Sequence, residues 1–72
     1  MFEREFEYEH KKYGTVPVSI SERYNEILKA DEMHVWAIYY KGEEENHECF
    51  EYLKEDELTD KDIEKKLNKL IK

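Results

Sequence analysis

Cysteine occurs once in the 72 residues, proline once and glycine twice. One thiol closes no internal disulfide, and it falls short of the paired Cys and His motifs that build structural zinc sites. With two glycines there is no Gly-rich phosphate loop, and no catalytic triad pattern is present. Long hydrophobic runs are missing too. The longest, Val35 to Tyr40, is far below the roughly 20 residues that cross a bilayer, so the sequence predicts no membrane role. Without a basic start followed by an apolar stretch it also predicts no secretory signal, hence a cytoplasmic protein. Basic residues are the minority: 12 against 19 acids leaves a net charge of -7, which opposes direct binding of nucleic acid or anionic lipid. No internal repeat and no Gly/Ser/Pro linker divides the chain, so residues 1–72 are expected to form one small domain.

What is present is charge, unevenly spread, and aromatics at regular spacing. Between Glu43 and Asp60 nine acids face one lysine, whereas from Lys61 to Lys72 five lysines outnumber two acids, which makes the molecule a dipole as well as an acid. Aromatic residues form 14% of the chain, and their periodicity argues for a folded core in spite of 43% charged residues. So short a chain is near the limit for an unstapled core, which raises self-association as a possibility.

The stretch FEREFEYEH, residues 2–10, alternates strictly. Phe2, Arg4, Phe6, Tyr8 and His10 fall on one side and Glu3, Glu5, Glu7 and Glu9 on the other, as in a half-buried strand. Gly14 permits a turn, and TVPVS reads as a short extended piece, with Pro17 suited to an edge or a strand end. Ser19 and Glu22 match a capping box, and Ile20, Tyr24, Ile27 and Leu28 share one helical face, predicting a helix from Ile20 to about Asp31. MHVWAIYY, residues 33–40, reads as a central strand. Gly42 to Asn46 reads as a turn and HECFEYL, residues 47–53, as its antiparallel partner. Thr59 is an N-cap and Leu58 a staple against Ile63, opening a last helix with an inner stripe of Ile63, Leu67, Leu70 and Ile71. The expected fold is an α+β domain in the order β-β-α-β-β-α, a small antiparallel sheet of three to four strands with two helices packed on one face.

Candidate chemistries are few. His47 and Cys49, two apart on a strand, share a face and with His10 or His34 offer zinc ligands, but the spacing matches no recurrent motif. The same thiol as a nucleophile lacks the electropositive setting that makes a thiolate. Phe6, Tyr8, Trp36, Tyr39, Tyr40, Phe50 and Tyr52 offer a stacking platform for RNA, yet interleaved basic residues are missing. The sequence therefore predicts no catalytic, cofactor-binding or metal-binding residue.

The acidic surface suggests more. Glu3, Glu5, Glu7 and Glu9 repeat at roughly 6.6 Å along a strand, a rigid row of negative charge that Glu43, Glu44 and Glu45 extend if the fold brings them alongside. The reading is a non-enzymatic protein-binding module. Its narrower form is a small acidic inhibitor or regulator, a nucleic-acid mimic of the phage or mobile-element kind, that engages a partner's basic surface through these seven glutamates. Beside it stand a plain solvated turn at Glu43–Glu45 and an alternative of another class, a structural or housekeeping domain that forms a homodimer through a Tyr-rich sheet face.

Overall fold

Strict alternation carries the first strand. In the computed structural model, which describes residues 3–72, β1 (Glu3–His10) turns Tyr8 into the core and leaves Glu3, Glu5, Glu7 and Glu9 exposed. Phe2, expected on the inner side of this strand, lies outside the described residues. Three hairpins follow in series. Gly14, at φ +75°, opens β2 (Gly14–Asn25), a turn over residues 26–29 leads to β3 (Ala30–Lys41), and a two-residue turn leads to β4 (Glu44–Leu53). Gly42 takes φ +65° in that last turn, a conformation that glycine adopts without a Cβ clash. The strands form one antiparallel sheet in the order β1-β2-β3-β4. One turn of 3-10 helix (Lys54–Asp56) then leads to α1 (Asp60–Leu70).

The expected helix over 20–31 is overturned: the order is β-β-β-β-α, with one helix on the sheet. Ile20 fits both periodicities, and the period of two wins because Val16, Val18 and Ile20 together fill the core while Ser19 and Ser21 face away. β-Branched and hydroxyl side chains also favour the extended backbone over the helix. The Ser19/Glu22 pattern caps nothing; Ser19 pairs with Glu5 and Trp36 in the sheet. Asn25 supplies the turn chemistry instead, its Oδ1 accepting the Leu28 N–H at 2.9 Å, with Lys29 in the left-handed region. Tyr24, Ile27 and Leu28, which a helix would have buried, are exposed, Ile27 by 92%.

β3 is an inner strand, as expected of its apolar residues on both faces. Met33, Val35, Ala37 and Tyr39 point into the core beside Tyr8, Val16, Val18 and Ile20, and Ile63 and Leu67 of α1 with Ile71 at its C-cap close the layer from above. Leu70, assigned from sequence to the inner stripe, points outward at 42% exposure. Both ends of α1 are tied to the start of the chain. At its N-terminus Thr59 Oγ1 accepts the Asp62 N–H and the Asp62 carboxylate accepts the Thr59 N–H at 3.0 Å, a reciprocal cap, while Arg4 pairs with Asp60. At its C-terminus the Tyr13 hydroxyl donates to the Lys72 carbonyl. His10 joins this end as well: Nδ1 accepts the N–H groups of Lys12 and Tyr13, which leaves Nε2–H to donate to the Ile71 carbonyl at 3.2 Å.

Pro17 lies in β2, which is not an edge, yet on the β3 side the pairing ends at Val18↔Ala37. The next residue is the one without an amide donor, so the ladder stops where Pro17 begins while pairing to β1 continues through Glu7. No helix of the described residues is long and apolar enough to cross a membrane.

Candidate binding face

With α1 on one side, the other side of the sheet stays open, and the register decides what stands there. Cross-strand rows run Glu5–Ser19–Trp36–Cys49 and Glu3–Ser21–His34–Glu51. To the middle of this face β2 contributes only the small Ser19 and Ser21, with Arg23 beyond them opposite Glu32. Between the glutamates of β1 and the larger Trp36 and Ile38 of β3 this leaves a shallow concavity of about 550 Å³, with Ser19 and Ser21 among its lining residues.

Trp36 is 51% exposed but not loose. Its Nε1–H donates to His47 Nδ1 at 3.0 Å, and since an indole N–H only donates, that nitrogen is the bare one and Nε2 carries the proton. Nε2 in turn meets Glu45 Oε2 at 3.0 Å, and the other oxygen of Glu45 accepts the Tyr40 hydroxyl at 3.1 Å. The bond from His47, followed by that from Tyr40, holds the Glu45 carboxyl below its ordinary pKa. The Glu45 charge, first through the hydrogen bond, pushes the Tyr40 phenol up. One chain of hydrogen bonds thus positions two half-exposed aromatic rings, the kind of pre-ordered anchor that interfaces favour. Nδ1 of His47 is therefore occupied by the indole and Nε2 by the Glu45 carboxylate.

A second cluster stands at the other end of the face. Glu32, buried at 8% exposure, places Oε2 3.3 Å from His34 Nε2, and Glu51 Oε1 lies 3.7 Å from His34 Nδ1. Asn25 Nδ2 donates to the remaining oxygen of Glu32.

Of the residues singled out from sequence, Glu3, Glu5, Glu7 and Glu9 form one exposed row along the β1 edge of the open face. The glutamates at 43–45 do not extend it. β4 is the opposite edge, three strand spacings or roughly 14 Å away. Glu43 lies in the turn, and Glu44 and Glu45 alternate, which puts Glu45 on the open face and Glu44 on the α1 side. His47 and Cys49 do share the open face, but the other two candidates stand apart from them: His10 tethers α1, and His34 belongs to a separate network from His47. Sequence reasoning did not single out Glu32, Glu51, or the Trp36, Tyr40 and His47 network. The signal available was the even-numbered set His34, Trp36, Ile38 and Tyr40 opposite small residues at 15, 17, 19 and 21. Compared with protein-family models, with curated proteins and with solved structures, the chain matches none.

Proposed function

We propose that the protein is a non-enzymatic binding module, an acidic inhibitor or regulator that receives a basic, partly apolar protein surface on its open sheet face. One observation carries the reading: a row of four exposed glutamates faces a fixed, half-exposed tryptophan across Ser19 and Ser21, with Arg23 of β2 confined to the end of the face beside Glu32. Charge of one sign steers the partner in, and a held aromatic ring supplies the desolvated contact that lowers its escape rate. The row repeats at roughly 6.6 Å, which matches Lys or Arg at every second residue of an extended segment. It is also close to two nucleotide steps of about 3.4 Å, which supports the narrower reading of a partner whose basic groove ordinarily holds nucleic acid.

The homodimer alternative has less support. It needs a Tyr-rich sheet face, whereas Tyr8 and Tyr39 are buried in the core and Tyr52 packs against it, so that Tyr40 beside Trp36 is what remains on the open face.

A partner captured on immobilised protein tests the reading. Glu5→Lys with Glu7→Lys is expected to slow association and flatten its salt dependence, Trp36→Ala to speed dissociation, and duplex DNA to compete. Reversal of Glu55 and Asp56 on the 3-10 turn serves as a charge-matched control and leaves binding intact. Binding indifferent to the β1 and Trp36 variants would sink the proposal. A dimer in sedimentation that Trp36→Ala dissolves would favour the homodimer.

A further inference from the structure

We propose that Glu32, His34 and Glu51 form a binding site for a divalent cation of the zinc class, independent of what else the open face receives. One imidazole nitrogen and one oxygen from each carboxylate lie within 4.8 Å of one another. The tightest pair, His34 Nε2 and Glu32 Oε2 at 3.3 Å, already has the separation of two ligands on a tetrahedral zinc, about 3.3 Å for bonds of about 2.0–2.1 Å.

Two further observations distinguish this cluster from the glutamates scattered over the surface. The first is that Glu32 is buried, and among the described residues the only basic group within 4 Å of its carboxylate is His34, an imidazole and not a permanent cation. A cation bound at Oε2 would set a full positive charge beside this buried carboxylate. The second is that Glu32 is oriented from behind. Asn25 donates to Oε1 while its own Oδ1 caps the turn at Leu28, so Oε2 is left facing His34, the kind of outer support that ligating carboxylates have in metal sites.

The register does the rest. Glu32 and His34 are two apart on inner strand β3, and Glu51 is the cross-strand partner of His34 on β4, so the ligands come from two strands that the sheet holds in place. Glu51 is the exposed member and closes on the ion by side-chain rotation. Arg23, the cross-strand neighbour of Glu32, is the charge that opposes binding, although among the described residues it pairs with none of the three. Three protein ligands leave a tetrahedral ion one position for solvent or a further donor.

The test uses the full chain, stripped with a chelator and dialysed, titrated with zinc chloride by calorimetry and followed in parallel by thermal melting. The expected result is one zinc per chain and a melting midpoint raised by zinc. Affinity should fall at least about tenfold in Glu51→Gln and in His34→Asn, and be unchanged in His47→Asn and Cys49→Ser. Manganese(II) should broaden the amide resonances of residues 32, 34 and 51 before any others. Glu51→Gln alters an exposed side chain, so it decides the matter alone if a change at His34 disturbs the fold. Absence of saturable binding overturns the proposal, as does binding that survives Glu51→Gln or that is lost in His47→Asn or Cys49→Ser.

Discussion

Trp36 and His47 meet as donor and acceptor across the β3–β4 pair, with ring centroids 5.4 Å apart in an edge-on arrangement. Because Trp36 is the sole tryptophan, fluorescence excited where tyrosine does not absorb reports the surroundings of this one ring. His47→Ala is expected to raise acrylamide quenching and lower the anisotropy of Trp36, at a stability cost below about 1.5 kcal/mol, since an exposed neutral hydrogen bond contributes little net. Unchanged anisotropy would mean that sheet packing, not His47, holds the ring.

Leu67 is fully buried between α1 and the sheet. Leu67→Ala is expected to cost about 2–5 kcal/mol, much of the stability of so small a domain. Urea unfolding measures it directly, and a cost below about 1 kcal/mol would show that α1 is not an integral layer.

The β2–β3 turn gives the opposite expectation. Ile27→Ser should change stability by no more than about 0.5 kcal/mol and Leu28→Ser by little more, because the first side chain is in solvent and the second more than half exposed. Were this segment an amphipathic helix on the core, each change would cost several times more.

That contrast locates what was legible in the sequence. Residues 3–10 and 47–53 announced themselves as strands by alternation, 33–40 by a short run of β-branched and aromatic residues apolar on both faces, and Thr59 with Ile63 and Leu67 announced the last helix by its period. Residues 19–31 carry two periods. Ile20 fits either, and only pairing with β1 and β3, a contact between segments distant in sequence, decides between them. The glutamate row of β1 was legible for the same reason that its strand was. The Trp36–His47 and Glu32–His34–Glu51 groupings were not, since both depend on which residue of β4 faces which residue of β3, and that pairing is set by the turn between them and not by either segment alone.

Acid should unfasten the start of α1. The Asp62 carboxyl is held below its ordinary pKa, first by the Thr59 backbone N–H and then by the Thr59 hydroxyl. A depressed folded pKa contributes stability that is present above the ordinary value and is lost as pH falls through the depressed one. The stability gap between the native chain and Asp62→Asn in urea is therefore expected to be full near neutrality and to close as the pH drops below the usual aspartate range. A gap that stayed constant would remove Asp62 as the titrating cap.

Each strand pairs with the one just before it in the chain, whereas Arg4–Asp60, His10–Ile71 and Tyr13–Lys72 join the two ends. Local hairpins close short loops cheaply, and docking the helix closes the longest one. These closure lengths predict an order of assembly, with the sheet zipping first and α1 arriving last. Weakening α1 at Leu67 should then act mainly on how fast the protein comes apart, leaving the refolding rate close to that of the native chain.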